Sequence, residues 1–98
     1  DPRLHLLLAE ARIQAEDDKG AQEWIDKMKR LPGAGPYWRV AEAERLIAKG
    51  KLTEARPRID EALMEAPNWP RAWLVLGRLE DQSGKGKEAI AAYRKALE

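Results

Sequence analysis

Apolar residues recur at helical spacing in six stretches of the chain, and short breaks rich in glycine, proline or acidic residues separate these stretches. The pattern predicts six helices and no strand, over residues 2–15, 19–31, 36–49, 53–65, 70–83 and 87–98. In the first helix Leu4 and Leu8 lie on one side, whereas Leu6 and Ile13 lie on the other. Because a helix that is apolar on two sides tends to bury both, we expect another helix or a ligand to pack against each side of the first helix.

The same pattern repeats along the chain at a fixed step, which equals the spacing from Pro2 to Pro36 and from Pro36 to Pro70. Each of these prolines opens a helix at the first-turn position, where the missing N–H group costs nothing. Small residues follow the same repeat step, at Ala9, Ala43 and Gly77 and again at Ala21, Ala55 and Ala89. A period of this length is typical of stacked supersecondary units. The sequence therefore predicts one domain of three helical hairpins, over residues 2–35, 36–69 and 70–98.

Residues near the breaks predict how individual helices begin and end. Either aspartate of Glu16–Asp18 can cap the second helix and favour the positive end of its dipole. Gly50 suits the left-handed residue that closes a helix, and Glu16 occupies the equivalent place in the first copy. We expect Thr53 to cap the fourth helix, which puts Pro57 at its fourth helical position.

The third copy carries the residues by which the chain resembles a known family. These residues are Trp73, Leu76, Gly77, Gly84, Ala89, Tyr93 and Ala96, with Pro67 closing the copy before them. The pattern resembles the tetratricopeptide repeat and extends over essentially all 98 residues, although Arg39 and His5 stand at the positions equivalent to Trp73. The resemblance implies an all-α fold of three antiparallel helix-turn-helix repeats, stacked as a right-handed α-solenoid. It also implies an inner face that binds a partner protein or peptide.

Charge and composition exclude several other classes of protein. The 18 basic and 17 acidic residues are spread along the chain and give a net charge of +1. A nucleic-acid-binding protein needs a basic surface to neutralise phosphates, so we expect no nucleic-acid partner. No run of apolar residues approaches the roughly 18 that a membrane span requires, so we expect no membrane partner. The chain begins at Asp1 without methionine, and we expect it to be an excerpt of a longer protein.

Motifs for catalysis or metal binding are incomplete. His5 is the only histidine and the chain has no cysteine, so a zinc site would have to rely on carboxylates. Residues Gly84–Lys87 resemble a phosphate-binding loop only superficially, because the first glycine of that motif and the preceding strand are missing. Glu10 and Glu44 are candidates for paired acid–base carboxylates, but helical surfaces carry such residues everywhere. We therefore expect no enzyme activity, no cofactor and no metal.

One further surface is formed by the first helix of each hairpin. It is the side of that helix that faces away from the second helix of the same hairpin. The resemblance implies that these three sides line a concave groove. The candidate partner-binding residues in it are Leu6, Glu10, Ile13, Tyr37, Val40, Glu44, Ile47, Arg71, Leu74 and Arg78. The alternative is that the curvature of the superhelix or neighbouring repeats cover these side chains.

The chemistry of the groove residues predicts the kind of partner. Spacing predicts an apolar floor made by Tyr37, Val40, Ile47 and Leu74. Arg71 and Arg78 lie two turns apart on one side, where their guanidinium groups suit a bidentate carboxylate. We therefore expect a protein or peptide segment that is apolar or amphipathic and has an acidic end.

A second function of a different class stays open. The last helix presents Tyr93, Ala96 and Leu97 with no following repeat, although solenoids usually need a polar capping surface. The chain would then be a structural spacer or a self-associating section of a longer solenoid. We expect this end to pair with another copy as a homodimer, to stack end to end, or to fray. An RNA-binding helical repeat is disfavoured because its inner face would need paired polar side chains.

Overall fold

The computed structural model describes all 98 residues and consists of six α-helices joined by short turns. The helices are α1 (Pro2–Gln14), α2 (Asp18–Lys29), α3 (Gly35–Ala48), α4 (Leu52–Glu65), α5 (Pro70–Gln82) and α6 (Gly86–Leu97). Each helix lies close to the range that the apolar pattern predicts, and the all-α prediction is confirmed. None of the six is both long enough and apolar enough to cross a bilayer.

The helix starts confirm one predicted cap and correct another. The Asp17 side chain accepts a hydrogen bond of 3.0 Å from the backbone N–H of Gly20 and so caps α2. The prediction that Thr53 caps α4 is wrong, because α4 begins at Leu52 and Thr53 is an exposed residue inside it. The equivalent residues Asp18 and Gly86 begin α2 and α6, so the turn that the three hairpins share sets the start of α4. Pro57 is therefore the sixth residue of α4 rather than the fourth.

The three turns within the hairpins share one backbone geometry. Glu16, Gly50 and Gly84 are related by the repeat step and have positive φ angles of 59°, 75° and 78°. After each of them the next backbone N–H bonds back across the helix end, as in Lys51 N to Leu46 O at 2.8 Å and Asp17 N to Arg12 O at 2.9 Å. This pattern is the Schellman motif. The first hairpin thus keeps the motif without a glycine.

The helices pack as three hairpins, each against the next. Every odd-numbered helix packs most extensively against the even-numbered helix that follows it, and α1 packs on α3 and α4 on α5. Two apolar cores result, one between the first and second hairpins and one between the second and third. Trp69 borders both cores. No backbone contact joins α1 to α5, although a side-chain ion pair between Glu10 and Arg71 links the first hairpin to the third.

The two interfaces between hairpins differ in chemistry at equivalent positions. The positions of Asp18, Glu42 and Arg45 in the first interface correspond, one repeat later, to those of Leu52, Leu76 and Leu79 in the second. Arg45 donates to Asp18 Oδ1 at 3.0 Å and to Glu42 Oε1 at 2.6 Å. Burial alone would lower the pKa of Arg45, but the bonds to Glu42 and Asp18 raise it. An ionic triad therefore occupies the place of an apolar one.

Candidate partner-binding groove

The three odd-numbered helices line one solvent-open cavity of about 180 Å³. Its lining residues are Glu10, Ile13 and Gln14 of α1, Glu44, Ile47 and Ala48 of α3, and Arg71, Arg78 and Gln82 of α5. No residue of α2, α4 or α6 contributes. The cavity therefore lies on the surface that helical spacing assigns to the groove.

The lining residues form rows across the three hairpins. Glu10, Glu44 and Arg78 are equivalent positions of the three repeats and make one row. Gln14, Ala48 and Gln82 lie about one helical turn further along and make the next row. Helical spacing already puts this second row on the groove side of the odd-numbered helices, although the ten candidate residues do not include it. Equivalent positions thus meet because the odd-numbered helices lie side by side.

Ion pairs occupy the floor of the cavity. Arg71 donates from Nη2 both to Glu10 and, at 2.9 Å, to Oε1 of Glu44. Arg78 also reaches Glu44 Oε1, at the longer distance of 3.4 Å. The Glu44 side chain is only 7% exposed, whereas that of Arg78 is 48% exposed. Arg71 is thus held by two carboxyl groups, and Arg78 is held weakly by one.

Glu44 is the most perturbed titratable group of the cavity. Burial, followed by its hydrogen bond to Glu10 and the charge of Glu10, raises its pKa to about 8, and Arg71 offsets only part of this. Its Oε1 takes the arginine bonds, whereas its Oε2 is buried and receives no donor. Oε2 is therefore the Glu44 oxygen at which a proton would displace neither arginine. With Glu44 neutral, Glu10, Arg71 and Arg78 leave the cavity with one net positive charge.

Comparison with known proteins agrees with this architecture. The family model of the tetratricopeptide repeat matches residues 40–98, which is more than half of the chain. The chain belongs to the tetratricopeptide repeat family. It is also 40% identical, over 105 aligned residues, to the cellulose synthase operon protein C of Xanthomonas axonopodis pv. citri (strain 306). The match covers 99% of this chain but only 7% of that relative. Tetratricopeptide repeats generally mediate protein–protein interaction.

Four of the ten candidate residues of this repeat domain lie outside the cavity lining. They are Leu6, Tyr37, Val40 and Leu74. Val40 is 0% exposed and lies in the core with Ile59 and Val75, so the predicted apolar floor is wrong at that residue. Leu6 is buried in the core between the first two hairpins. The Tyr37 ring packs edge-on against Trp69 at a centroid distance of 4.9 Å, and Leu74 is half-buried.

The prediction that both arginines are free to bind a carboxylate also needs correction. Arg71 already pairs with two carboxyl groups of the repeat domain itself, one from each of the other hairpins. Glu44, which spacing placed across the groove from the arginines, is their partner in the structure. Helical spacing shows which side of a helix a residue faces, but it does not show which charges meet across three helices. Arg78 keeps the more exposed guanidinium group of the two.

The remaining chemical motifs have structural roles. The half-buried His5 places Nδ1 2.9 Å from the carbonyl oxygen of Asp1 and packs edge-on against Trp24. Gly84 forms the left-handed turn residue, and residues 86 and 87 begin α6. The Ser83 hydroxyl donates to the carbonyl oxygen of Leu79 at 2.8 Å. No group of three or more histidine, aspartate or glutamate side chains converges as metal ligands.

Proposed function

We propose that this chain is a non-catalytic protein–protein interaction scaffold that binds a peptide or protein segment along the groove of α1, α3 and α5. The observation that carries the proposal is the cavity itself, which takes residues from all three hairpins and from the odd-numbered helices alone. This surface exists only when the three repeats are stacked. The stacked fold therefore creates the proposed binding site.

The size and lining of the cavity support a protein segment rather than a small molecule. Sites for drug-sized ligands usually measure about 300–1,000 Å³, and this cavity of about 180 Å³ has room for one or two side chains. Ile13, Ile47 and Ala48 supply apolar contact area, and Gln14 and Gln82 supply amide groups. Such a lining suits an extended or helical segment that inserts one anchoring side chain and continues along the groove.

The similarity to a cellulose synthase operon protein C suggests a setting for this interaction. We propose that the partner is a protein that acts in cellulose synthesis. Because the chain spans 7% of that relative, it would supply one binding section of a longer scaffold.

The second candidate function, a structural or self-associating section of a solenoid, has its own support. Ile90 and Leu97 of α6 are 54% and 88% exposed. At the other end Leu4 and Leu7 of α1 are exposed, whereas their equivalents in α5, Ala72 and Val75, are buried in the core that α5 shares with α4. Sedimentation equilibrium distinguishes the two candidates. Association that grows with protein concentration and is abolished by Leu97→Ser favours this second function.

The binding function is tested with peptides selected from a random library on the immobilised domain. We expect Arg78→Ala to weaken their binding about tenfold or more, because Arg78 is the exposed charge of the cavity. The matched control is Lys95→Ala, which removes a similarly exposed cation of α6. Selected peptides that bind Arg78→Ala as tightly as the unchanged domain, but lose affinity for Lys95→Ala, overturn the groove assignment.

A further inference from the structure

Arg78 differs from the other cations that contact the groove or its neighbourhood. Arg71 is bonded to Glu10 and Glu44, and Arg45 to Asp18 and Glu42. Arg78 has one contact, at 3.4 Å, and half of its side chain is exposed. A guanidinium group with five donors and a single long contact has most of its hydrogen-bonding capacity unused. It is therefore the cavity's available partner for an anion.

The surroundings of Arg78 favour a carboxylate over other groups. The amides of Gln14 and Gln82 line the same cavity and add neutral donors, while Ile13 and Ile47 supply its apolar lining. A carboxylate side chain is small enough for about 180 Å³ and matches the planar fork of arginine. A cationic partner would instead meet Arg78 and would have to displace Arg71 from Glu10. The charge balance of the cavity thus selects an acidic ligand.

We propose that a carboxylate of the partner binds Arg78, and that Glu44 couples this binding to the uptake of a proton. The proposal rests on the proposed function and specifies the ligand and regulation of the same site. When Glu44 is ionised, its buried carboxylate neutralises Arg78 and repels an incoming acid. When Glu44 is protonated, Arg78 is free to pair with the ligand. A ligand carboxylate and a proton on Glu44 therefore stabilise each other's binding.

The groups that face Glu44 are consistent with this coupling. From α1 the facing charge is Glu10, and from α5 the facing charges are Arg71 and Arg78. No ionisable side chain of α2 or α4 forms an ion pair with Glu44. Glu10 remains as the counter-ion of Arg71. Protonation of Glu44 thus changes the charge next to Arg78 without releasing Arg71 from both of its partners.

The sign of the pH dependence follows from linkage. Because the bound state holds more protons than the free state, affinity for the acidic ligand is highest where Glu44 is protonated and falls as pH rises through the pKa of about 8. The ligand carboxylate itself is fully ionised throughout this range. The arginines stay charged as well. The loss of affinity above pH 8 therefore reports on Glu44.

The test uses two small probes at millimolar concentration, the amide of N-acetyl-leucyl-glutamate and its neutral isostere, the amide of N-acetyl-leucyl-glutamine. Binding is followed by NMR through the side-chain amides of Gln14 and Gln82. We expect the acidic probe to bind about tenfold more weakly at pH 9.5 than at pH 6.5, and the neutral probe to bind weakly at both. In Glu44→Gln the acidic probe should bind equally well at both pH values. In Arg78→Ala it should not bind at the cavity.

The outcomes separate this proposal from the groove function. Binding of the acidic probe at the cavity with no pH dependence, or pH dependence that persists in Glu44→Gln, overturns the proton coupling. Failure of the acidic probe to perturb Gln14 and Gln82 overturns the carboxylate site. Either failure leaves the groove function standing if library-selected peptides still lose affinity for Arg78→Ala. Selected peptides that bind elsewhere overturn the groove function itself.

Discussion

Gly77 of α5 lies directly against the ring of Tyr93 of α6, so closely that a β-carbon at position 77 would overlap the ring. The first and second hairpins have alanine and isoleucine at these two positions, as in Ala43 and Ile59, which share one core. The third hairpin therefore combines a smaller residue with a larger one. The two changes compensate each other within one crossing of helices.

This compensation predicts the behaviour of three variants. Gly77→Ala should lower the free energy of unfolding by about 1–3 kcal/mol, because the new methyl group overpacks against Tyr93. The double variant Gly77→Ala with Tyr93→Ile should recover most of that loss. Gly86→Ala is the control, since open space surrounds that helical glycine. Urea unfolding measures all three, and additive costs in the double variant would contradict the compensation.

The left-handed residue of the first turn predicts a stabilising change. Glu16 has a φ of 59°, a conformation that costs an L-residue with a side chain about 1–2 kcal/mol relative to glycine. Glu16→Gly should therefore stabilise the domain by up to about 1 kcal/mol. Gly50→Ala is the matched reverse change, because no atom lies within 4 Å of its added methyl group and only backbone strain acts. Thermal unfolding measures the midpoint temperature of each variant. Midpoints that shift in the same direction for both variants would refute this explanation.

The ionic triad between the first two hairpins predicts opposite effects for a single and a double change. Arg45→Leu alone leaves Glu42 buried without its partner and should destabilise the domain by about 3 kcal/mol. Glu42→Leu combined with Arg45→Leu introduces the residues found at the equivalent positions 76 and 79, and it should be neutral or stabilising. Urea unfolding at pH 7 measures both variants. A double variant less stable than Arg45→Leu would contradict the equivalence of the two interfaces.

Glu44 predicts how stability depends on pH. Its folded pKa of about 8 lies above the usual value of 4.5, so the folded state binds more protons than the unfolded state between these two values. Its contribution to stability is fully present below pH 4.5 and is lost as pH rises to about 8. Removing this titration in Glu44→Gln should therefore stabilise the domain by roughly 4 kcal/mol more at pH 8.5 than at pH 5.

The exposed Glu23→Gln serves as the control for this pH dependence. Denaturant unfolding gives the free energy of unfolding at pH 5 and at pH 8.5. The difference between these two values should be the same in the control as in the unchanged domain. A pH dependence that is identical in all three proteins would show that Glu44 titrates as an ordinary carboxyl group.

The repeated features of the fold were predictable from sequence because they depend on local chemistry that recurs. Pro36, Gly50 and Pro70 act within one turn of their own positions, and residues of the same type or role recur at the repeat step. Thr53 was wrongly predicted as a cap because its residue type favours that role, whereas the left-handed turn at Gly50, whose geometry all three hairpins share, places the start of α4 at Leu52. The geometry of the turn overrode the preference of one side chain.

The charged floor of the cavity was not predictable in the same way. Arg71 and Glu10 are 61 residues apart and meet only because α1 and α5 converge on α3. Val40 and Glu44 are one turn apart on α3 and share a side, yet Val40 is in the core and Glu44 reaches the cavity. Periodicity gives the direction of a side chain but not the depth at which neighbouring helices meet.

The most direct measurement of the central claim is a map of chemical-shift changes in the isotope-labelled domain bound to a library-selected peptide. Binding in the groove predicts the largest changes along the row of Gln14, Ala48 and Gln82, which crosses all three hairpins, and in Arg78→Ala these changes should require a higher peptide concentration. Changes confined to α2, α4 and α6, or to the exposed end at Ile90 and Leu97, would contradict the groove as the binding surface.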